Sequence, residues 1–365
     1  MRIMENNLLF AVGLTKIHHV GPVLGRQLIY YCGSPEEVFN TSARNLLKIP
    51  GLGNTIVSEI CSKKVLAIAE IELKDCVKKN IEILYFKSSN YPSRLANLPD
   101  SPIVVYQMGN IDWEDRFILS VVGTRKPSQH GIEALNKILE GIKEYNPIIV
   151  SGLAFGIDAE AHHFCLKNNL RTAGIMAHGL GSIYPADHRE LAEKISRQGA
   201  LLSEYPWSVR AEKEFFPMRN RIIAGLSDGV LVVETAERGG SMITAQLAND
   251  YNREVMALPG RMTDKWSQGC LKLIKNQEAT LVSSADDVIN LLQWKDAQTK
   301  QMIIPFLEPL EKKIVDLYID AKIISLEYLL SNTSLSTGLL SQLLLDMEFK
   351  GLIKEIPGKR YQKLI

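Results

Sequence analysis

Between residues 103 and 282 the chain alternates short apolar runs with helical ones, and few folds can absorb that rhythm. Residues 103–107, 117–122, 147–150, 172–177, 200–203, 229–234, 254–258 and 280–282 read as strands. Helices follow from the Gly123-Thr124-Arg125 turn to about 145, and at about 157–167, 187–197, 219–225 and 241–252. Strands joined by helices of this length predict a mostly parallel sheet covered on both faces, a Rossmann-like doubly wound α/β domain over residues 103–293.

The flanks read differently. Residues 1–68 are read as short helices. Ile49-Pro50-Gly51-Leu52-Gly53-Asn54-Thr55 has the glycine-turned form of a helix-hairpin-helix in a SAM-like domain, or of a plain helical hairpin. Residues 69–102 read as linker and lead-in, and 294–305 as a second linker. Residues 306–365 have the layout of a winged helix: Leu339, Leu340, Leu343, Leu344 and Met347 recur at helical spacing.

Bulk properties exclude several classes. No apolar run approaches the roughly 20 residues that span a bilayer. The first ten residues lack a signal-peptide pattern, which predicts a cytoplasmic protein with no membrane partner. The five cysteines are scattered and never spaced as CxxC, and no HExxH occurs, so neither a disulfide frame nor a metal site is expected. The net charge of +1 argues against coating duplex DNA by overall charge and leaves room for a local basic cleft.

In an open parallel sheet, ligands gather outside the carboxyl ends of the strands, and four polar or glycine-rich loops fall there. In the first, Gly123 lets backbone amides approach an anion, Thr124 and Ser128 bring hydroxyls, and Arg125 and Lys126 bring charge. It is not the GxGxxG of a dinucleotide fold, because Arg125 stands where the second glycine must be. The second holds Ser151, Gly152 and Gly156, with Asp158 expected to cap the next helix and His162 to brace it. The third carries Gly179, Tyr184, His188 and Arg189; Tyr184 is either a base-stacking group or a packed aromatic. The fourth places Gly240, Ser241 and Thr244 at a helix start, a second anion nest. Arg219, Asn220 and Arg221 open a further helix; arginines there serve a ligand or salt-bridge the fold. Several anion-friendly loops on one edge suit a string of phosphates better than one small ligand.

Together these segments resemble the DprA (Smf) family of DNA-processing proteins. The likeness runs in family order through Tyr91-Pro92, Val122-Gly123-Thr124-Arg125, Ser151-Gly152-Leu153-Ala154, Gly156-Ile157-Asp158, Tyr184-Pro185, Ser203-Glu204-Tyr205-Pro206, residues 216–227, Gly240-Ser241, Thr244-Ala245 and Pro259-Gly260. Two positions depart from the family pattern: Gly181, where Asp or Asn is usual, and Gly239, where a serine would add a hydroxyl. The resemblance implies a homodimeric single-stranded DNA binder that loads a RecA-type recombinase in natural transformation, with no cofactor and no catalytic step. It assigns DNA contact to Arg125, and to His188 or Arg189. The competing class is a nucleotide-processing phosphoribohydrolase of the lysine-decarboxylase-like group. That group's nest reads PGGxGTxxE; here Arg238-Gly239-Gly240-Ser241 is followed by no acidic residue in that place.

Overall fold

The computed structural model describes residues 2–114, 117–295, 308–318, 323–333, 335–350, 352–356 and 358–363. They form two compact units, Met1–Trp294 and Lys295–Ile365. Among the described residues no helix is long and apolar enough to cross a membrane.

The first unit opens with six helices: α1 Arg2–Leu14, α2 Pro22–Cys32, α3 Pro35–Asn40, α4 Ala43–Leu46, α5 Asn54–Ser62 and α6 Lys64–Lys78. A sheet of nine strands follows: β1 Glu82–Tyr85, β2 Val104–Gly109, β3 Ile118–Val122, β4 Ile148–Ser151, β5 Thr172–Met176, β6 Ala200–Ser203, β7 Gly229–Val232, β8 Glu254–Ala257 and β9 Thr280–Leu281. Their spatial order is β1-β2-β6-β5-β4-β3-β7-β8-β9. The run from β6 to β9 is parallel throughout. β3, β4, β5, β6 and β7 are buried along their whole length, which is why they read as unbroken apolar runs rather than alternating ones.

The helices after the short α7 (Ser93–Ala96) connect the parallel strands: α8 Gln129–Ile142, α9 Ile157–Lys167, α10 Arg189–Gln198, α11 Phe215–Leu226, α12 Gly240–Asp250 and α13 Gln268–Lys275, with α14 Ala285–Leu291 after the last strand. Two cores result. Leu153, Ala159, Leu191 and Ile195 pack with Ala11, Leu28 and Ile60 of the front helices. Ile222, Ala224, Ala245 and Ala248 of α11 and α12 pack with Val122, Val150 and Val232 of the sheet. The front helices thus share a core with the α/β layers and do not stand apart from them.

Three expectations change. Residues 69–102 are not a plain linker: they hold most of α6, the edge strand β1 and α7. β2 joins the sheet antiparallel to β6, and β1 pairs antiparallel with β2. The β2–β6 pairing joins partners such as Tyr106 and Ser203, about a hundred residues apart, which no local pattern records. Trp294 opens no linker; it is buried against Phe117 and Tyr145, with ring centroids 4.9 and 5.9 Å away. Residues 296–305 of that linker lie outside the described residues.

The second unit contains α15 Pro309–Asp316, β10 Ile323–Ser325, α16 Leu326–Thr333, α17 Thr337–Phe349, β11 Ile353–Ile356 and β12 Arg360–Lys363. β12 lies between β10 and β11 in a three-stranded antiparallel sheet. Leu340, Leu344 and Met347 bury the inner face of α17, as their spacing requires.

Candidate nucleic-acid interface

Strand order reverses direction at β3. From there β4, β5 and β6 run to one side, while β7, β8 and β9 run to the other. At such a switch point the loops leaving two neighbouring strands diverge and open a crevice. The β3 and β7 backbones stay together as far as Thr124, whose N–H donates to the Glu234 carbonyl at 2.6 Å. Beyond it lies a cleft of about 360 Å³, lined by Gly123, Thr124, Arg125, Lys126, Asp158, Arg219, Asn220, Gly240, Ser241, Thr244 and Trp266 among others.

One wall is the start of α12. Its N-cap, Gly239, offers no side chain to the first amides, and nothing lies within 4 Å of where a Cβ would stand on Gly240. The start of α12, without a side-chain cap, thus brings the positive end of the helix dipole to the cleft wall, with Ser241 and Thr244 beside it. Arg125 and Lys126 are exposed on the opposite lip. Exposed cations beside a helix start are an arrangement that suits an anion.

The floor is rigid, and Gly156 shows how. Its φ of +81° is one that side chains rarely adopt, and a Cβ there would collide with the Thr124 carbonyl. Glycine lets the second loop press on the first, where Ile157 N–H donates to the same carbonyl at 3.2 Å. Arg219 is 5% exposed and donates to the carbonyls of Gly152 at 2.6 Å and Ile175 at 2.5 Å. Gly152 has no side chain because a Cβ would fall on that guanidinium. Contrary to the capping role expected of it, Asp158 leaves its own helix uncapped and accepts from the Gly152 and Ala154 amides of the preceding loop at 3.1 and 3.4 Å. Burial pushes its carboxyl pKa up, while the Arg219 charge opposes that shift. The same burial brings Arg219 down to about 10.

His162 ties α9 to β5. It is fully buried, its Nδ1 2.7 Å from Thr172 Oγ1, and that hydroxyl donates to the Ile149 carbonyl at 2.8 Å. Since Thr172 spends its proton on Ile149, His162 Nδ1 carries the hydrogen. Burial lowers the imidazole to about 3, far below its value of 6.5 in an unfolded chain. The unfolded state therefore takes up a proton below pH 6.5 that the folded state refuses, and stability falls as pH drops from 6.5 toward 3, by up to about 1.4 kcal/mol per pH unit. Thermal melts of the wild type and His162→Asn across that range should converge toward acid. Parallel pH profiles would show that His162 is not the buried neutral group described.

Other expected contacts do structural work. Ser151 Oγ donates to the Val121 carbonyl at 2.6 Å and is fully buried. Ser128 caps α8 through the Gly131 amide and donates to Glu234 Oε1 at 2.5 Å. Gly179 packs on the backbone of Pro206 and Trp207, its N–H donating to the Val209 carbonyl at 2.9 Å. Arg221 is buried, holding both Glu204 oxygens at 2.6 and 2.5 Å and the Asp100 carbonyl at 2.6 Å. None of these four lines the cleft.

The third loop extends the rim. Tyr184 is half exposed and meets Phe216, a cleft-lining ring, edge-on at 5.6 Å. His188 donates through Nδ1 to the Leu153 carbonyl at 2.9 Å and sits 4.7 Å from Phe155, while Arg189 is exposed at the start of α10. Trp266 is the lining residue that loop-by-loop reading passed over. The available signal for Trp266 was its position between β8 and α13, again beyond the carboxyl end of a parallel strand.

The family model described as DNA recombination-mediator protein A matches residues 82–293. The chain belongs to this family. The matched span begins at the first residue of β1 and contains every cleft-lining residue named above. Protein Smf of Synechocystis sp. is 32% identical over 96% of this chain and 97% of its own length. Among solved structures, DNA processing protein A (DprA) from Streptococcus pneumoniae superposes with a TM-score of 0.66 at 31% identity, over 78% of this chain and 97% of that one. DNA processing protein A from Helicobacter pylori, studied for its single-stranded DNA binding mode, has a TM-score of 0.54 at 28% identity, over 59% of this chain and 96% of its own.

Proposed function

We propose that this recombination-mediator family member holds single-stranded DNA along the carboxyl edge of its sheet, as a non-catalytic mediator. The observation that carries the reading is the uncapped start of α12 facing the exposed Arg125 and Lys126 across one cleft. Backbone amides and flexible cations recognise phosphate without reading sequence. The Helicobacter pylori relative's single-stranded DNA binding supports the same ligand here. Nucleotide hydrolysis finds less support: Asp158 is the one carboxylate lining the cleft among the described residues, and it is buried under loop amides.

The strand contacts fall to Gly123, Thr124, Arg125, Lys126, Asn220, Gly240, Ser241 and Thr244, with Tyr184, His188 and Arg189 along the rim. Ser151, Gly152, Gly156, Asp158, His162, Arg219 and Arg221 shape and support them. Loading of a RecA-type recombinase, pairing of two copies, a helix-hairpin-helix at residues 49–55 and a winged helix in the second unit complete the proposal. Lys350, the base at the end of α17, is taken up by Glu311 at 2.7 Å, so that helix suits a partner surface better than a duplex groove.

Anisotropy of a labelled oligonucleotide, single-stranded and duplex, at two salt concentrations tests this. The single strand should bind more tightly, and log K should fall with log salt by about 0.7 per phosphate engaged. An absence of single-strand binding at low salt would overturn the reading.

A further inference from the structure

We propose that Glu234 is the positioning residue of the strand grip, holding both ends of the loop segment that carries Arg125 and Lys126. This rests on the single-strand reading above and adds to it a residue that acts through others. Glu234 stands just past the end of β7, where the first and fourth loops part, and is 8% exposed. Its backbone carbonyl accepts from the Thr124 N–H at 2.6 Å, at one end of the segment. Its carboxylate accepts from the Ser128 N–H at 2.8 Å and the Ser128 hydroxyl at 2.5 Å, at the other end. Between those ends stand Arg125, Lys126 and Pro127. The anchor is itself fixed: Val233 N–H donates to the Val122 carbonyl at 3.1 Å and Thr235 N–H to the Trp266 carbonyl at 2.6 Å.

The start of α8 is built around this carboxylate. In a capping box the N-cap hydroxyl accepts from the third helical amide, and an acidic side chain at that third position accepts from the N-cap amide. α8 keeps the first half of the exchange, with Ser128 Oγ accepting from the Gly131 N–H at 3.0 Å. The third position is Gly131, which has no side chain to return the bond. Glu234, 106 residues from Ser128, supplies the second half. A Cβ on Gly131 would stand 2.6 Å from its carboxyl carbon, so the glycine leaves room for a carboxylate that comes from another strand. One side chain thereby closes the helix and sets the loop that bears the two cations. On charge alone an acidic group beside a phosphate site weakens binding. Positioning acts in the opposite direction, so the two effects are separable by sign.

Anisotropy of a labelled single strand at low salt, on variants whose folding is checked by thermal melts, tests the assignment. Glu234→Ala should bind roughly 10-fold more weakly than the wild type, because ordering even one released backbone residue on binding costs about that factor. Glu234→Gln keeps an acceptor for the Ser128 N–H without the charge and should stay within about two-fold. In the Glu234→Ala background, Arg125→Ala should lose less than about 3-fold, against roughly 10-fold in the wild type, since both act through one loop. Should Glu234→Ala not fold, Ser128→Ala removes the hydroxyl between Glu234 and Gly131 and enters the same cycle, with coupling of the same sign expected. Full additivity with Arg125→Ala would leave the residue a structural one and overturn the assignment. Tighter binding by both Glu234 variants would reduce its part to charge and overturn it as well. Failure of the wild type to bind at low salt would instead overturn the single-strand reading, and this assignment with it.

Discussion

Arg125→Ala is expected to weaken single-stranded DNA binding by roughly 10-fold or more, by about the same factor for every sequence. It should also flatten the salt dependence by about one phosphate contact. Arg125 is exposed on the lip of the cleft, and among the described residues no hydrogen bond or ion pair ties it to the fold. Its guanidinium is therefore available to a phosphate, and the melting temperature should not move. The geometry also explains why this loop tolerates an arginine where a dinucleotide fold requires glycine. Gly123 packs against Ile157, while the Arg125 side chain lines the cleft and remains exposed. Titrations of two unrelated oligonucleotides decide the matter: normal affinity for both, or loss for only one, would move the site elsewhere.

Arg221→Ala should do the reverse. Arg221 and Glu204 form a bidentate pair in which the arginine side chain is 5% exposed and the carboxylate 18%. Removing one partner of a buried pair leaves the other charged and undersolvated, at a cost of about 3–5 kcal/mol. For a unit of this size that lowers the melting temperature by roughly 10 °C. Burial already raises the Glu204 carboxyl pKa, and the Arg221 charge is the largest influence opposing it. Removing both, in Arg221→Ala with Glu204→Ala, should restore part of the loss, because no charge is then stranded. Single-strand affinity of the folded single variant should match the wild type. A variant that melts normally but binds poorly would place Arg221 on the DNA after all.

The contrast between these two arginines marks how far the chain can be read unaided. Their neighbourhoods look alike in sequence, each a basic residue beside small or polar ones near a helix start. Arg221 is claimed by Glu204, 17 residues earlier, and by the Asp100 carbonyl, 121 residues away; no local pattern announces either. Asp158 teaches the same lesson. Placed second in its helix, it reads as a capping residue, yet it turns back to the Gly152 and Ala154 amides because the Arg219 guanidinium lies beneath that loop. Charge and hydroxyl content were legible; which of those groups remained free for a ligand was not.

Sequence by itself determined the alternation of strand and helix, the parallel sheet it entails and the family. Each of those rests on local periodicity, or on short glycine-marked turns whose backbone demands are written in the residues themselves. Tertiary structure alone decided that β1 and β2 complete the sheet antiparallel, that the front helices share its core, and that the β3 and β7 loops part at the switch point. It also decided which side chains face the cleft that opens there. These outcomes depend on burial and on partners tens to hundreds of residues apart, and a group's solvation and pairing exist only once the chain has closed around it.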